Sequence, residues 1–550
     1  MQAISDFIAD LSGWKQWFIA LLAGAAATLS LAPNLFWISL FVSVPILIWM
    51  LDGIWLRSMS GKSGRNTLSN AFIVGWWFGF GYFFVGLRWI GEAFLVDADL
   101  FAWLMPFAMA LLPAGLALFF GVATACIIRF WRPGISRILL LAWALFATEL
   151  LRGHIFTGLP WNTLGYSLTG TDGLMQSTSV VGVYVLTYVA VLVFSVPAAL
   201  VFPQNSNNRI AANWSFAIAV LLLVISLDIA GQWRLTDKKS GTQSNIRLHL
   251  VQPNINQKEK WRPENQKEIV DRIIGLSKLA ETGTSAGSIP KNIIIWPEVA
   301  LPFLFDKNAE FLNFLGDSIP DETVLITGAI RTGNGDPGRQ DGRPREIYNS
   351  LMVIDSDGQI EKVYDKKHLV PFGEYLPFQN FLEAIGLQQL TRLRGGFTEG
   401  RGERYIQANS LPAFAPLICY EIIFSGAVVE VTNRPEWLLN LTNDGWFGDT
   451  AGPHQHLHQA RIRAIEEGLP VVRVANTGIS VVIDSYGQIL ERIPLNQMGT
   501  IDSGLPLPLE ETVYARHGLP IIFVLLILGF LFPVILQARS GDDLKSVSDT

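Results

Sequence analysis

Apolar runs long enough to cross a ~30 Å hydrocarbon core recur through this chain, and no other feature narrows its fold so far. They fall at 14–32, 35–55, 70–92, 101–128, 134–151, 175–202 and 212–231, with an eighth at 517–537 after a long polar stretch. A segment in lipid must satisfy its own backbone, so these runs predict about eight membrane-spanning α-helices, seven before the polar region and one after it. Composition agrees. Half of the 550 residues are hydrophobic and 16% are charged, against about 25% charged in an average water-soluble chain. A net charge of −6 without a dense Lys/Arg stripe gives no support for nucleic acid as a partner, and none is expected. The two cysteines, Cys126 and Cys419, are far apart and form neither a disulfide framework nor a zinc cluster.

Basic residues in short loops set the orientation. The second loop carries Arg57, Lys62 and Arg65, the fourth Arg129, Arg132 and Arg137, the sixth Arg209, and the tail Arg539 and Lys545. The alternate loops are uncharged at Ala32–Asn34 and acidic at Glu92–Asp99. The even loops and both termini are therefore expected in the cytoplasm, and residues 240–512 in the periplasm of a Gram-negative inner membrane. Arg234, Lys238 and Lys239 run against this reading, but large domains translocate largely regardless of charge. The first run is short and rich in Ala, like a signal peptide. No basic residue precedes Lys15, and losing the run would invert the parity, so it is read as a retained helix. The expected organisation is a seven-helix transmembrane domain at 1–236, a periplasmic domain at 240–512, an eighth helix at 515–538 and a cytoplasmic tail at 539–550. Glu149 and Arg152, three apart at the end of the fifth run, read as an ion pair snorkelling to the interface.

From Asn245 the pattern changes to short β-rich runs alternating with amphipathic helices. Strands are predicted at Ile246–Val251, Asn292–Trp296, Thr323–Ile330, Ser350–Ile354, Gln359–Tyr364, Ala413–Ile418, Trp437–Leu441 and Ser480–Ile483. Helices are predicted at Lys267–Glu281, Ile422–Val431 and His454–Glu467. Val353-Ile-Asp-Ser-Asp-Gly-Gln-Ile360 is echoed by Val482-Ile-Asp-Ser-Tyr-Gly-Gln-Ile489, each a strand, a glycine turn and a returning strand. Two such hairpins suggest a layered α/β fold with mixed sheets.

Three segments place polar residues in apolar settings: Ile293-Ile-Ile-Trp-Pro-Glu298, Tyr364-Asp-Lys-Lys-His-Leu-Val-Pro-Phe-Gly-Glu374 and Pro416-Leu-Ile-Cys-Tyr-Glu421. A cysteine between a strand end and a helix start faces backbone N–H groups and the positive end of the helix dipole. A carboxylate can take the thiol proton during attack, and a lysine can stabilise the oxyanion that develops on a carbonyl. Taken singly, Cys419 reads as an inert core residue, Glu298 as a strand end and Lys366 as surface charge. Their conjunction suffices for acyl transfer through a thioester.

These segments resemble the nitrilase (carbon-nitrogen hydrolase) superfamily. Gly158-Leu-Pro-Trp-Asn162, Asn440-Leu-Thr-Asn-Asp-Gly-Trp-Phe-Gly448, Ala464-Ile-Glu466 and Arg473-Val-Ala-Asn-Thr-Gly478 extend the resemblance to its apolipoprotein N-acyltransferases. The resemblance implies an αββα sandwich with Glu298 as general base, Lys366 as the oxyanion-supporting cation and Cys419 as nucleophile. The spacing to Glu374 matches the family pattern for Lys366 rather than the adjacent Lys367. Supporting roles are implied for Trp261, Asn349, Glu374, Tyr420, Glu421 and Trp446, with no cofactor. The implied reaction moves a fatty acyl chain from a phospholipid, typically phosphatidylethanolamine, to the α-amino group of a diacylglyceryl-cysteine at a lipoprotein N-terminus. A membrane-anchored nitrilase-type amidohydrolase is the alternative, although eight spans exceed what tethering needs. A degenerate scaffold conflicts with an intact Glu–Lys–Cys set. His454 and His458 share a helix face without a third ligand, so no metal site is read there. The apolar stretch from Pro377 to Gly396 reads either as an amphipathic helix packed on the domain or as a lid whose Phe381, Leu382, Ile385 and Leu387 dip into lipid, hinged at Gly395 and Gly396.

Overall fold

The structure is a computed structural model describing residues 1–60, 66–201, 207–236, 241–278, 291–320, 322–333, 346–384, 386–391, 393, 395–408, 411–430 and 432–548. The side chains of 207–212 and 538–548 are outside that description. Lys62, Arg65, Lys238, Lys239, Glu281, Ile385 and Val431, which entered the sequence reading, lie outside the described residues, as do the side chains of Arg209, Arg539 and Lys545. The chain divides into two compact units. One comprises Met1–Arg88, Pro106–Lys238 and Thr512–Thr550, and the other Trp89–Met105 and Lys239–Glu511.

Each predicted membrane run meets a helix in the first unit: Gly13–Ala27, Leu40–Met59, Thr67–Gly86, Met105–Ile127, Ile135–His154, Thr178–Phe194, Asn207–Thr236 and Val513–Ser548. Among the described residues, five helical segments are long and apolar enough to cross a membrane: Trp37–Met59, Thr67–Gly86, Ala98–Phe130, Asn213–Thr236 and Val513–Gln537. Gly13–Ala27 and Thr178–Phe194 are shorter, at 15 and 17 residues. Ile135–His154 buries three charged side chains, those of Arg137, Glu149 and Arg152.

Those buried charges correct two expectations. Arg137 is not a loop residue. Its Nε lies 3.2 Å from Asp52 Oδ1, its Nη2 donates to Ala198 O at 2.8 Å, and Trp131 Nε1 donates to the same Asp52 oxygen at 2.9 Å. Glu149 and Arg152 do pair, at 3.8 Å, but both are buried rather than snorkelling. Glu149 accepts from Leu164 N and Thr187 Oγ1, while Arg152 donates to Leu159 O and Trp161 O. Charges taken out of water persist only when paired and hydrogen-bonded, and here they clamp the Gly158–Asn162 segment against its helix.

The second unit is a sandwich of two sheets. Its strands are β1 Thr242–Gln252, β2 Lys291–Ile295, β3 Thr323–Thr332, β4 Ile347–Ile354, β5 Ile360–Asp365, β6 Phe414–Ile418, β7 Trp437–Thr442, β8 Val471–Ala475, β9 Ser480–Ile483, β10 Ile489–Ile493 and β11 Gly499–Pro506. One sheet has the order β11-β1-β2-β3-β4-β5 and the other β10-β9-β8-β7-β6. Strand periodicity explains the layering. Ile293 and Ile295 of β2 face the core shared with Phe414, Leu439 and Val472 of the opposite sheet. Ile294 and Trp296 face the other way, onto Ile269 and Ile273 of helix Gln266–Leu276 and Leu315 of helix Ala309–Ser318. A strand buried on both faces reads as a continuous apolar run, and Ile293-Ile-Ile-Trp296 is one.

The two sheets repeat one pattern of directions. β1, β2 and β3 are parallel, followed by antiparallel β4 and β5; β6, β7 and β8 are parallel, followed by antiparallel β9 and β10. The sequence echo marks the same hairpin in each, β4–β5 and β9–β10. Asp355 and Asp484 each accept two turn N–H groups, and Gly358 and Gly487 take φ of 76° and 77°. A Cβ on Gly358 would fall 2.2 Å from Leu312 O, so the position requires glycine twice over. Strands β8 and β11 were not anticipated from the sequence.

The helix predicted at Ile422–Val431 is replaced by a single 3-10 turn, Cys419–Ile423. Gly426, at φ 76°, and the loop around it end helical geometry there. Trp89–Met105 belongs to this second unit although its sequence continues an apolar run, and the Trp89 ring meets Phe447 edge-on at 4.5 Å.

Candidate active site

The three polar segments all leave strands of the sandwich: Glu298 follows β2, Lys366 follows β5 and Cys419 follows β6. Gly328 on β3 permits the first placement. A Cβ there would lie 2.6 Å from Glu298 Cα, while its backbone exchanges hydrogen bonds with Pro297 and Ala300. Nothing in the sequence marks Gly328 out from other strand glycines.

Glu298, Lys366, Glu374 and Asn349 meet in the protein interior. Asn349 Nδ2 donates to Glu298 Oε1 at 2.8 Å and to Glu374 Oε1 at 3.1 Å. Lys366 Nζ lies 3.0 and 2.9 Å from the two Glu374 oxygens and 3.9 Å from Glu298 Oε1. Val370 N donates to Glu374 at 2.8 Å. Burial raises the proton affinity of Glu298, Lys366 opposes that and Glu374 adds to it, with a net upward shift. Burial works against the Lys366 ammonium, but Glu374 and Glu298 outweigh it and hold the lysine charged. The adjacent lysines part company. Lys366 is 1% exposed, whereas Lys367 turns outward, 31% exposed along its side chain, and pairs with Glu430 at 2.8 Å.

Cys419 sits in the left-handed region, at φ 51°, in a non-glycine conformation that neighbouring structure must enforce. Asn440 Nδ2 and His456 Nε2 meet its carbonyl at 3.3 and 3.1 Å. Glu421, fully buried, accepts from Ile418 N on the cysteine side and from Lys367 N, His368 N and Tyr364 Oη on the lysine side. This carboxylate ties the two segments together. Burial pushes the Cys419 thiol up, as does Glu298, while Lys366 pulls it down; the net shift is strongly upward. The thiol is therefore protonated at rest. The dipole of a long following helix is not available to change that, since only a five-residue 3-10 turn follows.

Of the other implied residues, Tyr420 is buried with its ring 5.6 Å from His368 and 5.0 Å from Phe424. Trp446 closes the 3-10 turn Asp444–Trp446 and is partly exposed. Trp261 is 47% exposed. Its neighbour Lys260, which the sequence reading passed over, is buried at the site. Burial lowers its pKa to about 8 against the opposing pull of Glu298. In the Pro377–Gly396 segment a short helix, Gln379–Ala384, leaves Phe378 and Phe381 exposed. Gly395 and Gly396 have φ of 87° and 71°, which proline cannot adopt, so their replacement by proline would distort the loop rather than stiffen it.

Two family models match. The carbon-nitrogen hydrolase model covers residues 247–513, and the apolipoprotein N-acyltransferase N-terminal domain covers residues 23–196. The chain is 45% identical over 506 residues to the apolipoprotein N-acyltransferase of Rhodopseudomonas palustris, covering 92% of each chain. The chain belongs to the apolipoprotein N-acyltransferase family. It is also 43% identical to the Bradyrhizobium diazoefficiens member, covering 95% of each, and 41% identical to that of Brucella suis, covering 90% of this chain and 91% of the other. An amidase structure from Nesterenkonia sp. aligns at 17% identity and a TM-score of 0.33, over 49% of this chain and 93% of that one. Membership in the family makes this an acyltransferase built on the carbon-nitrogen hydrolase fold, with lipid and lipoprotein substrates, rather than an amidohydrolase.

Proposed function

We propose that the chain transfers a fatty acyl group from a phospholipid to the α-amino group of a lipoprotein's diacylglyceryl-cysteine, through a thioester on Cys419. One asymmetry carries this reading: Glu374 chelates Lys366 with both oxygens, whereas Glu298 keeps one Asn349 bond and stands 3.9 Å from the ammonium. Glu374 is thereby committed and Glu298 retains the capacity to take a proton. Two carboxylates in unlike surroundings divide the roles of anchor and base.

The steps balance on these groups. Cys419 Sγ attacks the ester carbonyl as its proton passes to Glu298. The oxyanion is met by the Lys366 ammonium and the Tyr420 N–H. The tetrahedral intermediate expels the lysophospholipid alkoxide, which takes the proton back from Glu298. The acceptor amine then attacks the thioester, gives its proton to Glu298, and thiolate leaves and is reprotonated. Phosphatidylethanolamine is the proposed donor. Moving a sixteen-carbon chain from bilayer to water costs on the order of 12 kcal/mol, at ~0.8 kcal/mol per methylene, which apolar helices and the exposed Phe378 and Phe381 would help to avoid. Loop charges favour eight spans in the inner membrane, with residues 240–512 periplasmic and both termini cytoplasmic.

Intact-mass measurement after incubation with phosphatidylethanolamine tests the proposal. The wild-type protein should gain one acyl chain that neutral hydroxylamine removes, and Cys419→Ala should gain none. Acylation surviving in Cys419→Ala would refute it.

A further inference from the structure

His456 lies on helix Ala451–Glu467 with a completely buried side chain, on a different face from His454 and His458. Its Nε2 is 3.1 Å from Cys419 O, and its Nδ1 is 3.1 Å from both Arg473 Nη2 and Asp444 Oδ1. Arg473 in turn bonds Asp444 Oδ2 at 2.7 Å and Asn440 Oδ1. Thr442 Oγ1 donates to Asp444 Oδ1 at 3.0 Å. Asn440 donates to both Leu417 O and Cys419 O, at 3.1 and 3.3 Å. β7 and β8 make this arrangement possible. Leu439, Leu441, Val472 and Val474 fill the inter-sheet core, which turns Asn440 and Arg473 to the opposite face.

The partners decide the tautomer. A carbonyl only accepts, so Nε2 carries the proton toward Cys419 O, while Nδ1 faces both the Arg473 donor and the Asp444 carboxylate at 3.1 Å. Burial and Arg473 lower the proton affinity of His456, Asp444 and the Cys419 carbonyl raise it, and the net shift is downward, in keeping with a neutral ring. Two neutral N–H donors, from His456 and Asn440, therefore hold one carbonyl oxygen. In a planar trans peptide the C=O and the following N–H point in opposite directions. Fixing Cys419 O thus fixes the line along which the Tyr420 N–H is presented.

We propose that His456 is a positioning residue for acyl transfer: with Asn440 it locks the Cys419–Tyr420 peptide so that the Tyr420 N–H meets the oxyanion of the tetrahedral intermediate. Asp444 and Arg473, both 3.1 Å from Nδ1, hold the imidazole in its orientation. This rests on the reading of Cys419 as nucleophile.

The test compares two reactions at one thiol on the full-length protein in detergent. Acylation by phosphatidylethanolamine builds an oxyanion; alkylation by iodoacetamide, a displacement at saturated carbon, does not. His456→Met should slow acylation about 10²-fold, the loss associated with one misplaced oxyanion donor, while alkylation changes by less than about threefold. His456→Gln, whose amide N–H can reach the same carbonyl, should recover most of the acylation rate. Asn440→Ala, which removes the second donor, should lower the ratio of acylation to alkylation in the same sense. The ratio is read on the folded fraction, so partial loss of folded protein cancels from it. Equal losses in both reactions, or acylation by His456→Met at the wild-type rate, would overturn the proposal. Absence of an acyl adduct on the wild-type protein would instead overturn the Cys419 reading, and this one with it.

Discussion

Glu374 grips the Lys366 ammonium with both carboxylate oxygens, at 3.0 and 2.9 Å. Replacing Glu374 by Gln removes the charge that keeps the ammonium in place and frees Lys366 to pair with Glu298 instead. A closer cation lowers the basicity of Glu298 and withdraws Lys366 from the oxyanion. Thioester formation should fall by about 10²-fold, the range of a misplaced acid–base group. A time course of intact mass measures it; a rate within threefold of wild type would mean that Glu374 only fills space.

The two neighbouring lysines should differ sharply. Lys366→Met removes a buried cation beside two carboxylates and should reduce acylation by about 10³-fold or more. Lys367→Met loses only a partly exposed pair with Glu430, worth about 0–1 kcal/mol, and should acylate within about threefold of wild type. The reverse order would assign the oxyanion cation to Lys367.

Lys260 sets the pH response. Its charge lowers the proton affinity of Glu298, which burial has raised. Lys260→Met should therefore raise the Glu298 pKa further, so that the base form is lost at a higher pH as the solution is acidified. The acidic limb of the acylation profile moves to higher pH. Above about pH 8 the wild-type Lys260 itself loses its proton, and the two profiles should converge there. Parallel profiles across the whole range would rule out this electrostatic role.

In the first unit, Arg152 is the test of stability. Arg152→Ala leaves Glu149 buried without its ionic partner and removes the donor to Leu159 O and Trp161 O. Breaking a buried pair costs about 3–5 kcal/mol. The tryptophan-fluorescence melting temperature in detergent should drop by several degrees, and Glu149→Gln combined with Arg152→Met should recover part of the loss. An unchanged melting temperature for Arg152→Ala would show the pair to be incidental.

The membrane runs, most strands and the three polar segments were legible because each rests on local order. Hydrophobic length marks a span, period-two burial marks a strand, and Ile293-Ile-Ile-Trp296 announces a strand covered on both faces without reference to anything distant. The paired hairpins even registered the repeat of strand directions, since their Asp and Gly residues answer to turn geometry within a few residues. Local order also misled. Ile422–Val431 has helical spacing but makes one 3-10 turn at Cys419–Ile423, and Trp89–Met105 continues an apolar run yet packs in the second unit.

Tertiary structure decided which charges lie inside. Arg137 and Arg152 look like interface residues in the sequence, and only Asp52, Glu149 and the carbonyls around them make burial affordable. Lys260 and His456 carry no local mark because their partners are remote in the chain: Glu298 for one, and Cys419, Asp444 and Arg473 for the other. Backbone periodicity is a property of neighbours in sequence. The electrostatic and hydrogen-bonding state of a buried group is a property of neighbours in space, and it exists only once the sandwich has closed around it.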